Sequence, residues 1–590
     1  MMTPVDHTYA RVLACTDEHA RIAATADLIL TIFDEFYGHF CEYPHQAKRA
    51  FETMDPHASI RISQERLGLY SSYISEHGPR VVAAFPGLSD NPALWDAIEV
   101  LLLSMIEDRY EADVIFGFTH SLRRNIDHGI WRPIAYSFPP PSKRRVDSTA
   151  RVFRRLPVRG RIDVLLLKEA LQIPGFSVRF RDLEGDCELV RQRLEELLYT
   201  CAGSALPVAL DVVEAGFFRD RSAFLVGRWV MSDASFVPFV LAFLNSPDGI
   251  HADAVLHQVA DIHALFSSAL ANLHVTTPLY YQTCVFLFSL MPRRPLGHHY
   301  ATIGYNHVGK VVILNEIIEQ VRSNGEGLRR SPGMPGTVAL GFTSDSCQYH
   351  MKVIRDLPTS SYKWGAFPGV AAVVDKYRAI HEINRAASML DNVMYFNLRL
   401  DRELFEPEFL EEILQQAAGS VQVGGDGVFI RFLIVQLKIV PLPLYLAQAS
   451  EDETEAAIRS LGHCIRNNAA TNIFNRDLDA RNYGVGRYGR VLLYDYDAVV
   501  KLTDVKIRTN TDREPGEEVL PDWFFEDGVI FLPEEIEYGL QLKSDFARRC
   551  FRRHNADLLT VEYWQDVQRK LLHGEVPELR MYPRIAKLSA

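Results

Sequence analysis

A chain of 590 residues is long enough for two or more domains, at about 100–200 residues each. Hydrophobic residues make up 47% and charged residues 23%, a balance that excludes global disorder and supplies apolar mass for several cores. The 63 basic and 75 acidic side chains leave a formal charge of −12, which argues against a nucleic-acid binder, because phosphate-backbone binding draws on clustered Lys and Arg. A nucleotide is not excluded, since it needs only a local set of donors and a metal.

Taken in chain order, residues 1–15, MMTPVDHTYARVLAC, lack the charged start and apolar run of a signal peptide. Residues 9–135 carry helical periodicity. In ADLILTIFDEFYGHF (26–40) apolar side chains recur at spacings of three and four and form one stripe. PPPSKRR (139–145), Pro-rich then basic, predicts a linker or exposed loop. From about 160 to 310 the pattern is mixed. SAFLVGRWVM (222–231) and FVPFVLAFL (236–244) read as strands, and ADAVLHQVADIHALFSSALANL (252–273) as a helix. Arg144, Arg145, Arg154 and Arg155 read as solvated surface. CVFLFSLM (284–291), the longest apolar run, is far short of the ~20 residues that span a bilayer. His298 and His299, without further ligands at suitable spacing, read as a surface loop. The eight cysteines are scattered, with no C-x-x-C pair, as expected of reduced thiols. Together these features predict a soluble cytoplasmic protein with no membrane partner.

A second unit is expected to begin near 316. TVALGF (337–342) and CQYHMKVI (347–354) are β-rich runs joined by a polar turn. A helical stretch, GVAAVVDKYRAIHEINRAASML (369–390), comes next. The strands MYFNLRL (394–400) and GVFIRFLIVQLKIVPL (427–442) follow. Glu406-PEFLEE and Glu451-DETE read as helix starts, where acids suit the dipole. ETEAAIRSLGHCIRNNAATNI (453–473) is a helix leading into the loop NRDLDARNYGV (475–485), and YGRVLLYDYDAVV (488–500) is hairpin-like. The tail from 533 is helical and charged. Sheet first and then mostly helix is the order of a bilobal kinase.

Three segments carry chemistry. Ser331, Pro332, Gly333, Met334, Pro335, Gly336 and Thr337 precede a strand. Glycines there let backbone N–H groups approach phosphates, although a plain Pro-Gly turn has the same composition. Lys352 lies sixteen residues after Gly336. Strand alternation puts Met351 and Val353 on one face and His350, Lys352 and Ile354 on the other. A lysine among apolar strand neighbours needs an anionic partner, unless it is an edge-strand lysine that snorkels. In Asp477-Leu-Asp-Ala-Arg-Asn482, Asp and Asn stand five residues apart, and Asp495 follows Asn482 by thirteen, at the end of the strand VLLY. Phosphoryl transfer needs one carboxylate to orient the acceptor hydroxyl and two oxygen ligands to hold Mg²⁺ on the phosphates. By roles, Asp477 is the base or orienter, and Asn482 and Asp495 hold metal. The competing reading is a polar hairpin whose Asp and Asn serve turn chemistry.

The ordered set SPGMPGT, MKVIRD, IVPLPLYL, NIFNRDLDARNYGV, GRVLLYDYD and EYW, with GFFRDRSAFLVGRW at 216–229, resembles the isocitrate dehydrogenase kinase/phosphatase family over most of the chain. The resemblance implies an ATP site from Ser331 to Thr337 plus Lys352. It also places a further active-site aspartate at Asp391. On its residues alone, Asp391 reads equally as an acid in a turn at a helix end. The implied reaction is phosphorylation of a serine of isocitrate dehydrogenase by ATP, and removal of that phosphate, controlling flux between the citric acid cycle and the glyoxylate bypass. AMP or ADP is the implied effector, acting on a regulatory N-terminal part. Asn475 stands where protein kinases have the histidine of His-Arg-Asp, and Asp497 where they have the glycine of Asp-Phe-Gly. The carboxylate of Asp497 would position water or a second metal. Which glutamate pairs with Lys352 is open, with Glu382 one choice.

The expected fold is α+β. A mostly helical, mixed regulatory domain spans 1–315 and a bilobal protein-kinase-like domain spans 316–590, with an N-lobe at 316–440 and a C-lobe at 441–590. Two other classes stay open: a small-molecule phosphotransferase of the same fold, and a pseudokinase that binds nucleotide or a partner without turnover.

Overall fold

A computed structural model describes residues 2–126, 129, 151–201, 205–266, 273–332, 336–362, 366–386, 388–509 and 530–588. The expected linker at 139–145, with Arg144 and Arg145, lies outside them.

The chain begins with the helices α1 (Pro4–Ala14), α2 (Glu18–Glu52), α3 (Pro56–Ala84), α4 (Pro92–Ile106) and α5 (Ala112–Ile126). Their starts follow local chemistry. Thr3, Asp55 and Asn91 cap α1, α3 and α4 with their side chains, and each is followed by proline at the first helical position. The stripe in α2 buries Ile29, Phe33, Phe36 and Phe40, and Phe33 and Phe36 both pack against Phe118 of α5.

A seven-stranded sheet follows, with α6 (Val164–Leu171) and α7 (Leu183–Cys201) inserted after its first strand. Its strands are β1 (Phe153–Pro157), β2 (Pro207–Val213), β3 (Phe217–Arg219), β4 (Ser222–Met231), β5 (Phe236–Ser246), β6 (Gly249–Leu256) and β7 (His274–Val275). Strands β4, β5 and β6 form an antiparallel meander, and the other edge of β4 is shared by β2 and β3. Alternation sorts the side chains. Phe224, Val226 and Val240 enter the core with α2, while Leu225, Leu241 and Phe243 enter a second core with α6 and α7. The helix expected over 252–273 is shorter. Residues 252–256 end β6, and the helix α8 runs over Val259–Phe266. Ala254 and Leu256 face one apolar core and Val255 the other, so apolar residues fall on both faces of the strand and the two-residue period is masked.

The helices α9 (Tyr280–Leu290), α10 (Leu296–Thr302) and α11 (Asn306–Ser323) lead into a six-stranded sheet. That sheet holds β8 (Arg329–Arg330), β9 (Ala339–Thr343), β10 (Tyr349–Ile354), β11 (Asn392–Asp401), β12 (Val421–Gly424) and β13 (Gly427–Leu437). The helix α12 (Val370–Ile383) connects β10 to β11, and α13 (Pro407–Gln416) connects β11 to β12. Met351 and Val353 pack with α11 on one face, and Ile354 and Ile434 with α12 on the other. Expected face assignments for β10 are therefore observed.

His298 and His299 are not on a surface loop. Both are buried in α10, and His298 stacks on Tyr349 at 5.8 Å. Burial pushes the His299 pKa down to about 3 and that of His298 well below its usual range. An isolated two-histidine signal carries no information about the sheet that later covers it.

Past β14 (Val440–Pro441) and α14 (Leu442–Leu446) comes the central helix α15 (Glu451–Ala470). Ser450 and Glu453 form its capping box, as the acidic start predicts. Short strands follow: β15 (Ile473–Asn475), β16 (Tyr483–Val485), β17 (Val491–Leu493) and β18 (Val499–Lys501). The hairpin expected over 488–500 is instead β16 with β17, while β18 pairs with β15. The helices α16 (Ile536–Gly539), α17 (Asp545–His554) and α18 (Val561–Leu572) close this lobe. Trp564 of α18 is buried edge-on against Phe531 and Phe474, with its indole N–H bonded to Leu558 O at 2.8 Å. Residues after α18 return to the first sheet, where Tyr582 and Lys587 both bond Asp253 of β6 and Leu588 N donates to Asp253 O at 2.8 Å.

Candidate active site

The site forms where β10, α12 and the loops around β15–β17 meet. Lys352 projects from β10 and is 7% exposed. Its ammonium donates to the carbonyl of Tyr494 at 3.3 Å and lies 5.8 Å from the centre of the Tyr377 ring and 5.5 Å from that of Tyr494. Burial pushes its pKa down, against the attraction of Asp495 and Asp497. These two aspartates are its charged company among the described residues. Glu382 stands in the last turn of α12, and its side chain lies outside the described set.

Below Lys352 the Asp477–Asn482 loop is held by its own polar side chains. Asn475 donates to Asp477 O at 2.8 Å and accepts from Asp477 N at 3.1 Å. Asn482 donates from Nδ2 to Asp477 O at 2.8 Å, which leaves its Oδ1 for another partner. Asp479 turns inward to bind the backbone and guanidinium of Arg481. Asn482 O then accepts from Tyr494 N at 3.0 Å, so the loop and the Asp495 turn share one end of the β16–β17 hairpin.

Asp497 N donates to Asp495 Oδ1 at 3.3 Å. Burial, and then repulsion from Asp495, pushes the Asp497 pKa up to about 7, while Lys352 and Lys376 pull it down. The buried Asp497 carboxyl is therefore the group whose charged form is disfavoured by its neighbour Asp495. Lys376, on α12, donates to Asp497 O at 2.5 Å. Arg476 neighbours Asp477 and Tyr362 electrostatically. A raised carboxyl pKa stabilises the folded state below the ordinary value of 3.8, and that contribution is lost as pH rises through about 7. Without added metal, Asp497→Asn is thus expected to raise the melting temperature over wild type at about pH 8 by a few degrees. Melting curves across pH should show this advantage shrinking to nothing toward about pH 4; a constant offset would mean Asp497 does not titrate in this way.

Asp391 precedes β11, beyond the turn that ends α12, and is brought to the same region. Leu390 N donates to Leu493 O at 2.7 Å, and the buried Tyr496 hydroxyl donates to Leu390 O. Its carboxylate faces Arg294, 3.7 Å away, from the segment between α9 and α10. Arg294 is 2% exposed on its side chain and also bonds Thr302 and His298 O. Nearby, Arg219 donates to Arg385 O at 2.7 Å across the same boundary, and Arg385 pairs with Asp220 at 2.9 Å.

Ser331 and Gly336 lie at the ends of the glycine-rich segment, beside β9. Ser331 N donates to Gly341 O at 2.9 Å, and its buried hydroxyl has no partner among the described residues. A Cβ at Gly336 would stand 2.7 Å from Ala339 O, so this close approach requires glycine. Thr337 O accepts from Thr359 N, and Pro332 is exposed. Gly333, Met334 and Pro335 lie outside the described residues.

Among the described residues no group of three or more His, Cys, Asp or Glu side chains converges to hold a metal ion. Asp495 and Asn482 offer a smaller oxygen set. That suits Mg²⁺, which takes one or two carboxylates and completes its shell with water and substrate phosphates. Lys376, Tyr377, Tyr494 and Arg294 were not legible as site residues. Lys376 and Tyr377 sit in an ordinary helical pattern, and only the packing of α12 against the sheet turns them toward Asp497.

Comparison with known proteins gives a consistent picture. The family model described as Isocitrate dehydrogenase kinase/phosphatase (AceK), regulatory domain matches residues 26–325. The corresponding kinase-domain model matches residues 326–584. The isocitrate dehydrogenase kinase/phosphatase of Rhodopseudomonas palustris (strain TIE-1) is 41% identical over 582 residues, covering 97% of this chain and 93% of that protein. Proteins of the same description from Bordetella bronchiseptica (strain ATCC BAA-588 / NCTC 13252 / RB50) and Anaeromyxobacter sp. (strain Fw109-5) are 29% and 28% identical. They cover 94% and 95% of this chain, and 93% and 97% of their own lengths.

Proposed function

Since the chain belongs to the isocitrate dehydrogenase kinase/phosphatase family, we propose that one cleft, built from residues 331–497, serves both of its reactions. It is a protein kinase and a phosphoprotein phosphatase. In the forward reaction the γ-phosphoryl group of ATP passes to a serine of isocitrate dehydrogenase; in the reverse regulatory step that phosphate is removed by water. The balance sets flux between the citric acid cycle and the glyoxylate bypass in the cytoplasm. Residues 1–315 regulate and residues 316–590 catalyse, with the lobes meeting near 440.

The observation that carries this reading is the desolvated Lys352 beside Asp495 and Asp497, above the hydrogen-bonded Asp477–Asn482 loop. In this assignment Lys352 pairs with the α- and β-phosphates, and the segment from Ser331 to Thr337 covers them. Asn482 Oδ1 and Asp495 would hold Mg²⁺, which when bound neutralises charge on the β- and γ-oxygens. Asp477 orients the serine hydroxyl and accepts its proton as the new O–P bond forms and the bond to ADP breaks. For dephosphorylation Asp497 positions the water, and Asp391, oriented by Arg294, acts beside it. An adenine-nucleotide effector, AMP or ADP, biases the two reactions; the basic boundary around Arg219, Arg294 and Arg385 supports a coupling route to Asp391.

Radiolabel transfer from ATP into purified isocitrate dehydrogenase tests the assignment. Asp477→Ala is expected to lose ~10²-fold or more of the transfer while ATP affinity stays within about twofold, because Asp477 meets the acceptor and not the nucleotide. Undiminished turnover would remove Asp477 from its role. Transfer to small alcohols in place of protein would favour a small-molecule phosphotransferase, and ATP binding without transfer by the wild type a pseudokinase.

A further inference from the structure

A second charged feature lies wholly among residues before 306. Arg66 projects from α3 and is 5% exposed, yet no carboxylate among the described residues lies within ion-pair distance. Its guanidinium donates to Leu273 O at 2.8 Å. Five N–H donors in a rigid fork are not satisfied by one backbone carbonyl. An arginine desolvated without a counter-charge is expensive, so its retention calls for an anion.

Arg66 lines a cavity of about 180 Å³. Thr276, Thr277 and His45 contribute further polar groups to the wall, and Phe40, Val275 and Ile303 contribute the apolar part. The wall carries no competing negative charge. Burial raises the thiol pKa of Cys41 to about 11 and the phenol pKa of Tyr305 well above its usual range, so both are neutral. Burial lowers the pKa of Arg66 only to about 9, which leaves it cationic at neutral pH. The backbone is shaped around the guanidinium: Gly304 has φ +98°, and a Cβ there would stand 2.9 Å from Arg66 Nη1. Pro44 interrupts α2 at the cavity, removing the N–H that would bond the carbonyl of Phe40.

We propose that this cavity binds a small organic oxyanion, a carboxylate or phosphate group on a body of a few carbon atoms, with Arg66 as its counter-charge. A bidentate guanidinium–oxyanion pair supplies the polar recognition, and the apolar wall accepts the carbon body. The site is separate from the kinase-like cleft but not isolated from it. Tyr305 lines the cavity and directly precedes α11, whose Glu316 accepts the hydroxyl of Tyr349 on β10, the strand that carries Lys352.

The test uses full-length protein with propionate and with glycerol 3-phosphate as probes, against chloride at equal ionic strength. Hydrogen exchange over residues 273–283 should slow saturably with one or both probes and not with chloride. Which probe acts tells a carboxylate from a phosphate ligand. Calorimetric affinity should fall ~10-fold or more in Arg66→Met, the scale for losing a charge-assisted hydrogen-bond pair. Neither probe exceeding chloride, or Arg66→Met binding as well as wild type, overturns the proposal. Should Arg66→Met fail to fold, the wild-type exchange comparison decides alone.

Discussion

Asp495→Ala lowers phosphorylation and dephosphorylation alike by at least ~10²-fold, the scale for losing one electrostatic anchor of a transition state. The expectation rests on where Asp495 stands. It leaves the end of β17 beside Asn482, accepts the amide of Asp497 at 3.3 Å and neutralises Lys352. A phosphoryl group in transfer beside Lys352 would meet this carboxylate in either reaction. Asp495→Asn separates charge from shape: it can still accept the Asp497 amide, so it should retain the fold and lose both activities. Initial rates on isocitrate dehydrogenase and on its phosphorylated form provide the measurement. Phosphatase activity surviving in Asp495→Ala would mean that two distinct sites carry out the two reactions.

Lys352→Met comes second in expected effect, again ~10²-fold or more on both activities. Here stability and activity should part company. The lysine is buried between the Tyr377 and Tyr494 rings, and its charge is opposed by desolvation. Methionine fills similar space without a buried charge, so the melting temperature should hold within a few degrees. Loss of the ammonium also removes one of the two cations that hold the Asp497 proton off, so Asp497 should stay protonated to higher pH. Activity loss accompanied by an equal collapse in stability would make Lys352 a structural residue. Unchanged ATP affinity would remove it from the phosphates.

The loop that carries the proposed site was legible because its parts lie close along the chain. Asp477, Asn482, Asp495 and Asp497 fall within one short stretch, and the β16–β17 hairpin folds that stretch on itself, so spacing alone anticipates proximity. Helix starts were legible for a similar reason. Ser450 with Glu453 settles its capping box within a single turn, and Pro407 at the first position fixes the start of α13. Readings failed where the deciding partner is remote in sequence. Ala252–Leu256 became strand because β5 lies beside it, and His298 was buried by a sheet that begins later in the chain. The approach of Arg294 to Asp391 has no local sign at all, since neither residue departs from an ordinary turn composition.

The return of the last residues to β6 has a topological meaning. The polypeptide leaves the first sheet through α11 and comes back to Asp253 through Tyr582, Lys587 and Leu588. Residues 329–572 are therefore an excursion of the chain anchored to the same body at both of its ends, with the Arg294–Asp391 and Arg385–Asp220 pairs as further ties in between.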